Sequence, residues 1–136
     1  MNNKNKCVII GKYKPTGKKA GAESGIPMVS NTNFKIAVGN NCFLDLNFET
    51  LIRDNMVISL SRTQFRLLYY LVQHLGKPVK SEELIAYAWG EFSTSKLCDL
   101  YVYINRLRQR IGDDTAKPKF LLTIRNIGYI LYPISD

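Results

Sequence analysis

The stretch LYVYINRLRQRI, residues 100–111, constrains the fold of this chain most, because its side chains divide into two distinct faces of one helix. At about 100° per residue, its apolar side chains share a stripe at the i, i+3, i+4, i+7 spacing of a helix that packs against a core. The stripe consists of Leu97, Leu100, Ile104, Leu107 and Ile111. We therefore expect a helix from about residue 95 to residue 111, held on the body of a folded domain.

The rest of this helix is polar and cationic, and residues 100–111 contain no acidic side chain. Solvated helix faces usually mix Glu with Lys, which adds stabilising pairs one turn apart. The outward face carries Val102, Asn105 and Arg106; the flanks of the core stripe carry Tyr101 and Arg108 on one side, and Tyr103 and Arg110 on the other. The face is either a basic solvated surface or a contact with a polyanion.

The net charge of +8 and the isoelectric point near 9.5 favour an acidic partner, either nucleic acid, an anionic membrane surface or an acidic protein. The charge is uneven: residues 1–31 hold six lysines and one glutamate, and residues 96–125 hold seven basic and three acidic residues. A length of 136 residues suits one domain. We expect residues 1–31 to form a basic, flexible arm and residues 32–136 to form the folded domain.

Several classes of site are not indicated by the sequence. Cys7, Cys42 and Cys98 are an odd number without a CxxC pair, which predicts neither a disulfide framework nor a zinc site. No nucleophile–base pair, carboxylate dyad or cluster of metal ligands occurs at useful spacing, so we expect no enzyme, no cofactor and no small-molecule ligand. No apolar run approaches the ~18 residues of a membrane span and no signal peptide is evident, so we expect a cytoplasmic protein.

The order of predicted elements is a small antiparallel sheet over residues 33–60, three helices and a hairpin. Ser61 and Gln64 form a capping-box pattern at the start of the first helix. Ser81 is the predicted cap of the second helix, which Gly90 ends. A hairpin over about 120–132, with Arg125 and Asn126 at its tip, follows the third helix. This order predicts an α+β fold, the winged helix-turn-helix, with the hairpin as its wing.

In such a fold the last helix enters the major groove of DNA and the wing touches the neighbouring minor groove. Arg106 suits a guanine edge, Asn105 an adenine edge and Val102 a thymine methyl group. The flanking residues would face phosphates. These are Tyr101, Tyr103, Arg108 and Arg110.

Residues of about 43–132 resemble the DNA-binding domain of OmpR/PhoB-type bacterial transcription regulators. The motifs that carry the resemblance are ISLSRTQFRLLYYLVQHLGKPVKSEELIAYAWG, LYVYINRLRQRI and LLTIRNIGYIL, in matching order and spacing. The resemblance implies a four-stranded N-terminal sheet, three helices and a wing. It also implies promoter binding, often as head-to-tail pairs on direct repeats, and contact with RNA polymerase through the loop between the second and third helices.

The resemblance also implies roles for individual residues. Arg106 matches the main base-contacting arginine, with Asn105 and Val102 at adjacent reading positions. Tyr103 and Arg108 match phosphate contacts, and Arg125 matches the wing arginine that enters the minor groove. The polymerase-facing region corresponds to Trp89 and the loop 90–96, which includes Gly90, Glu91 and Phe92.

The chain departs from the family pattern at three places that bear on the target sequence and the affinity. Cys98 and Tyr101 stand where many members have Arg and Asp, and Asn126 replaces the usual Gly after the wing arginine. No receiver domain is expected, which leaves a stand-alone regulator, an effector domain and the head of a membrane-anchored protein as alternatives. The rival function is a protein- or membrane-interaction module, in which the lysine arm binds acidic surfaces and the winged helix is an assembly platform.

Overall fold

The computed structural model describes the backbone of residues 9–10 and the whole of residues 34–135. The predicted flexible arm, residues 1–31, lies outside the described residues except for that dipeptide, which forms a strand. Within residues 9–10 and 34–135, no helix is both long and apolar enough to cross a membrane.

The N-terminal sheet is antiparallel, and its strands lie side by side in chain order. Its strands are β1 (Ile9–Ile10), β2 (Lys35–Gly39), β3 (Cys42–Asp45), β4 (Thr50–Arg53) and β5 (Met56–Ser59). Ile36, Leu44 and Leu51 lie opposite one another across three strands and are fully buried. Because side chains alternate between the faces of a strand, this row defines the face that packs on the helices. The fifth strand, β1, extends the expected four-stranded sheet along the edge of β2.

Three helices follow the sheet: α1 (Arg62–Gln73), α2 (Ser81–Trp89) and α3 (Leu97–Ile111). The predicted capping box of α1 is present, with Gln64 N–H donating to Ser61 Oγ at 3.1 Å and Ser61 N–H to Gln64 Oε1 at 2.8 Å. The predicted cap of α2 is wrong. Ser81 is the first helical residue and Lys80 the cap, because Lys80 is held in an extended conformation by its pairing with Gly128 of the wing.

A second antiparallel sheet contains the wing. Its strands are β6 (Val79–Lys80), β7 (Leu121–Ile124) and β8 (Gly128–Leu131), with β8 in the middle. Glycine is required at position 128, since a Cβ atom there would lie 2.0 Å from the Val79 carbonyl oxygen. This close approach fixes the wing beside the start of α2.

One hydrophobic core joins the helices, the N-terminal sheet and the wing. Leu100, Ile104, Leu107 and Ile111 of α3 are fully buried in it, as the stripe predicts. The prediction for Leu97 is wrong, because its side chain is 60% exposed. Leu97 lies in the first turn of α3, beside the open cleft between this helix and the wing. The α+β winged-helix fold itself is confirmed.

Candidate nucleic-acid interface

The exposed face of α3 is a cationic surface with one apolar side chain at its centre. The helix begins two residues later than expected, at Leu97, and the Asp99 carboxylate accepts the Lys96 N–H at 3.0 Å. Val102 is 43% exposed between Asn105 and Arg106 around the helix, and Arg106 and Arg110 are also exposed. A single exposed apolar side chain is normal on a protein surface, so it is the cationic surroundings of Val102 that favour a polyanionic partner.

Arg106 is supported by Tyr103, an aromatic residue that is itself in contact with Trp89. Its guanidinium carbon lies 5.2 Å from the ring centroid of Tyr103, within the range of a cation–π contact. The Tyr103 ring in turn meets Trp89 edge to face, with centroids 5.3 Å apart. The end of α2 therefore fixes the position of Tyr103, and Tyr103 restricts the orientations of Arg106.

The sequence prediction for Arg108, an exposed side chain at the flank of α3 that contacts phosphate, is wrong about its exposure. The residue is 3% exposed, and Nε donates to the Leu121 carbonyl at 2.9 Å. Nη2 donates to Thr123 Oγ1 at 3.1 Å. Burial lowers the pKa of the guanidinium, an effect that the acidic groups of Tyr129 and Asp113 partly offset. Because β7 covers this flank of α3, Arg108 holds the wing and does not face solvent.

Asn105 lies beside Arg108 at the border between the exposed face and the wing. It is half-buried, and its Oδ1 accepts a hydrogen bond of 2.9 Å from Arg108 Nη1. The sequence placed Asn105 on the outward face, but it did not reveal that its amide oxygen has an internal partner. Thr123, the wing residue that completes this network, had no signal in the sequence.

The wing tip has the predicted form, a tight turn between β7 and β8 closed by a 2.9 Å hydrogen bond from the Ile127 N–H to the Ile124 carbonyl. Arg125 and Asn126 are both exposed at the tip. Asn126 has φ +66°, in the left-handed region that Asn tolerates better than other residues with a side chain. The requirement for positive φ explains why Asn can stand where glycine is usual.

An open cleft of about 610 Å³ lies between the wing, the start of α2 and the first half of α3. Leu97, the exposed Cys98 and Tyr101 line it from α3, and Asn126 and Ile127 line it from the wing. Tyr101 is 56% exposed, in agreement with its predicted place at the flank. The cleft separates the two elements that were predicted to contact neighbouring grooves.

The loop between α2 and α3 has one highly exposed aromatic side chain. Phe92 is 97% exposed, and its neighbours Gly90 and Glu91 are exposed as well. Trp89, which was predicted to belong to the same surface, is half-buried against Tyr103 and so packs towards α3.

Residues 55–131 match the family model described as "Transcriptional regulatory protein, C terminal", which is more than half of the chain. The chain belongs to this family. Its members are DNA-binding domains of transcription regulators and not enzymes. The predicted resemblance to OmpR/PhoB-type regulators is thereby confirmed, and so is the assignment to bacterial transcription regulation.

Solved structures of family members superpose on this domain. The RstA DNA-binding domain of Klebsiella pneumoniae, in complex with the RstA box, is 25% identical, with a TM-score of 0.66 over 74% of this chain and 98% of that one. The CpxR DNA-binding domain of E. coli is 27% identical, with a TM-score of 0.61 over 71% and 95%. DrrB of Thermotoga maritima, an OmpR/PhoB homologue, is 26% identical, with a TM-score of 0.62 over 68% and 42%.

Proposed function

We propose that this domain binds double-stranded DNA sequence-specifically in the bacterial cytoplasm, with α3 in the major groove and the wing at the adjacent minor groove. The observation that carries the proposal is the outward face of α3, where the exposed Val102 lies among cationic and amide side chains on a helix with one acid, Asp99, in its first turn. A helix is narrow enough to enter the major groove. The RstA domain, of the same fold, is bound to its DNA box.

The base-contacting residues in this proposal are Val102, Asn105 and Arg106. Arg106 donates to a guanine edge, and Val102 contacts a thymine methyl group. Phosphates are bound by Arg110 and by the phenols of Tyr101 and Tyr103. We leave Arg108 out of the phosphate contacts, because its guanidinium is buried and each of its nitrogens already donates to an internal partner.

The wing completes the proposed interface. Arg125 extends from the turn towards the minor groove, where the negative potential attracts arginine. Asn126 lies next to it and can bond to the sugar–phosphate edge. Both side chains are exposed, as this role requires.

Two arginines of α3 give a direct test, since removing either one changes the net charge equally. We expect Arg106→Ala to cost about 1–3 kcal/mol on the preferred site and to relax the preference at one base pair. Arg110→Ala should weaken binding to all sequences alike and lower the slope of log K against log salt by about 1. The measurement is fluorescence anisotropy on a selected site, with random DNA as competitor.

Lys35→Ala is the charge-matched control, because β2 contributes nothing to the proposed interface. This variant should bind like the wild type. A uniform loss of affinity in both arginine variants would refute base reading by Arg106. An absence of sequence preference in the wild type would favour an interaction module of another kind.

We also propose that the loop 90–96 contacts RNA polymerase, with Phe92 as the main contact. An aromatic ring that is 97% exposed is costly to leave in water and is typical of a contact in a protein interface. Phe92→Ser should leave DNA affinity unchanged and reduce transcription from the target promoter in vitro. Loss of both activities together would contradict this separation of roles.

On direct repeats, we propose that two copies bind head to tail. Half-sites about one helical turn apart present the same groove to both copies. A shift in half-site spacing by half a turn should abolish cooperative binding in a gel-shift titration, whereas independent binding would be insensitive to spacing.

A further inference from the structure

Arg108 is a charged side chain enclosed between α3 and the wing, and all three of its guanidinium nitrogens have internal partners. Two of the hydrogen bonds go to β7, at the Leu121 carbonyl and Thr123 Oγ1, with lengths of 2.9 and 3.1 Å. The third goes from Nη1 to Oδ1 of Asn105, one turn earlier on α3, at 2.9 Å. The guanidinium therefore ties the half-exposed Asn105 to the first strand of the wing.

The chemistry of this contact decides which end of the Asn105 amide faces away from Arg108. A guanidinium can only donate, so the carbonyl oxygen must face it and the amide NH₂ group must lie at the other end. Within the described part of the chain, that NH₂ group has no partner. A turned amide would set two donors against each other and break a charge-assisted hydrogen bond, which is roughly twice as strong as a neutral one. Asn105 is thus held with its donor outward.

We propose that Arg108 is a positioning residue that locks Asn105 as a hydrogen-bond donor, so that α3 selects a base edge with an acceptor at this position. This inference rests on the proposed function. The acceptors in the major groove are N7 and O6 of guanine, N7 of adenine and O4 of thymine. The paired contact with adenine, expected from the sequence, needs the amide oxygen turned to the base, and Arg108 holds that oxygen.

The base pair that Asn105 reads can be identified by binding-site selection from random DNA, with the full chain and with the Asn105→Ala variant. It is the position at which the wild type has a base preference and the variant has none. We expect a loss of about five- to tenfold in discrimination there. Analogues at that pair then remove its exocyclic amine, with purine for adenine or pyrimidin-2-one for cytosine. The change in DNA affinity on removing the amine should be the same for the wild type and for Asn105→Ala, within about twofold. A larger loss that is confined to the wild type would overturn the donor-only contact.

Arg108→Met tests the positioning role. The amide of Asn105 can then turn either end to the base, so discrimination at the base pair that Asn105 reads should fall about fivefold. The preference at the base pair that Arg106 reads should not change. Thr123→Val is the matched control, because it removes one bond between Arg108 and the wing but leaves the bond to Asn105 in place. It should lower the melting temperature without changing base preference. Unchanged discrimination in a folded Arg108→Met would overturn the role of Arg108.

Asn105→Asp gives a second test, which holds even where Arg108→Met does not fold. The variant keeps an oxygen towards Arg108 and replaces the outward NH₂ with an acceptor, so the preference should move to a base with an exposed amine, cytosine or adenine. An unchanged preference would contradict the donor assignment. If the wild type shows no preference at any pair, the proposed function fails. If the preference at the base pair that Arg106 reads is present and only the results for Asn105 differ from those expected, this inference fails and the proposed function stands.

Discussion

Asp113, which follows the end of α3, is the residue whose loss we expect to disturb the wing most. Its carboxylate is nearly buried and accepts four backbone hydrogen bonds. Oδ1 accepts from Asp114 and Lys119 at 2.9 and 2.7 Å, and Oδ2 accepts from Phe120 and Leu121 at 3.0 and 2.9 Å. The carboxylate therefore sets where β7 begins relative to α3, and with it the position of the wing.

The cost of Asp113→Ala follows from which of these N–H groups water can reach. Asp114 and Lys119 are exposed, so water replaces the carboxylate there. Leu121 is fully buried, and an unsatisfied buried N–H costs about 1–3 kcal/mol. With the net loss of one further charge-assisted bond, at Phe120, we expect unfolding to become easier by about 3 kcal/mol. In a domain of this size the melting temperature should fall by roughly 10–20 °C.

Urea denaturation followed by circular dichroism measures this change. Asp114→Ala is a matched control, because Asp114 also accepts two backbone hydrogen bonds, from Ala116 and Lys117, but does so on the exposed surface of the same loop. We expect it to cost under about 1 kcal/mol. If the two variants differ by less than about 0.5 kcal/mol, burial of the carboxylate is not what stabilises the wing.

Two further predictions concern side chains of α3 and the N-terminal sheet. Tyr103→Phe should weaken binding to all DNA sequences equally, since only the hydroxyl group is lost and the ring under Arg106 remains. Tyr103→Ala should also reduce discrimination at the base pair that Arg106 reads by about 0.5–1 kcal/mol, the worth of an exposed cation–π contact. Competition binding checks both, and equal discrimination would contradict the support of Arg106. Burial raises the pKa of Cys42 from 9.0 to about 11, an effect that Arg53 opposes and Asp54 reinforces. The thiol therefore ionises at lower pH in the unfolded chain than in the folded one, so a stabilisation that is present below pH 9 should be lost as the pH rises to 11. In urea denaturation, the free energy of unfolding of the wild type should fall by up to roughly 2–3 kcal/mol more than that of Cys42→Ala over this range.

The features that the sequence predicted correctly depend on interactions between residues close in the chain. The capping box of Ser61 and Gln64 spans three positions, and the wing turn with Arg125 and Asn126 at its tip is equally local. The buried stripe of α3 follows from the period of a single helix. Together with the order of the elements, these patterns were sufficient for the fold and the family.

The cap of α2 shows where local patterns fail. Ser81 has the side chain of a good cap and two acidic residues after it. The residue before it, Lys80, is however paired with Gly128 of the wing, forty-eight positions later in the chain, and takes the cap position. A partner at that distance changes where the helix begins, and no window of neighbouring residues contains it.

Sequence by itself determined that α3 has a core face and a cationic face, because the helical period assigns every side chain an angle around the axis. The tertiary structure alone decided what covers each end of that helix. Strand β7 lies over its second half and takes Arg108 out of solvent, while the first half borders an open cleft and leaves Leu97 in water. The direction of the Asn105 amide follows from the same packing, because β7 holds the Arg108 guanidinium that donates to it, and an angle around a helix does not reveal which strand covers that flank.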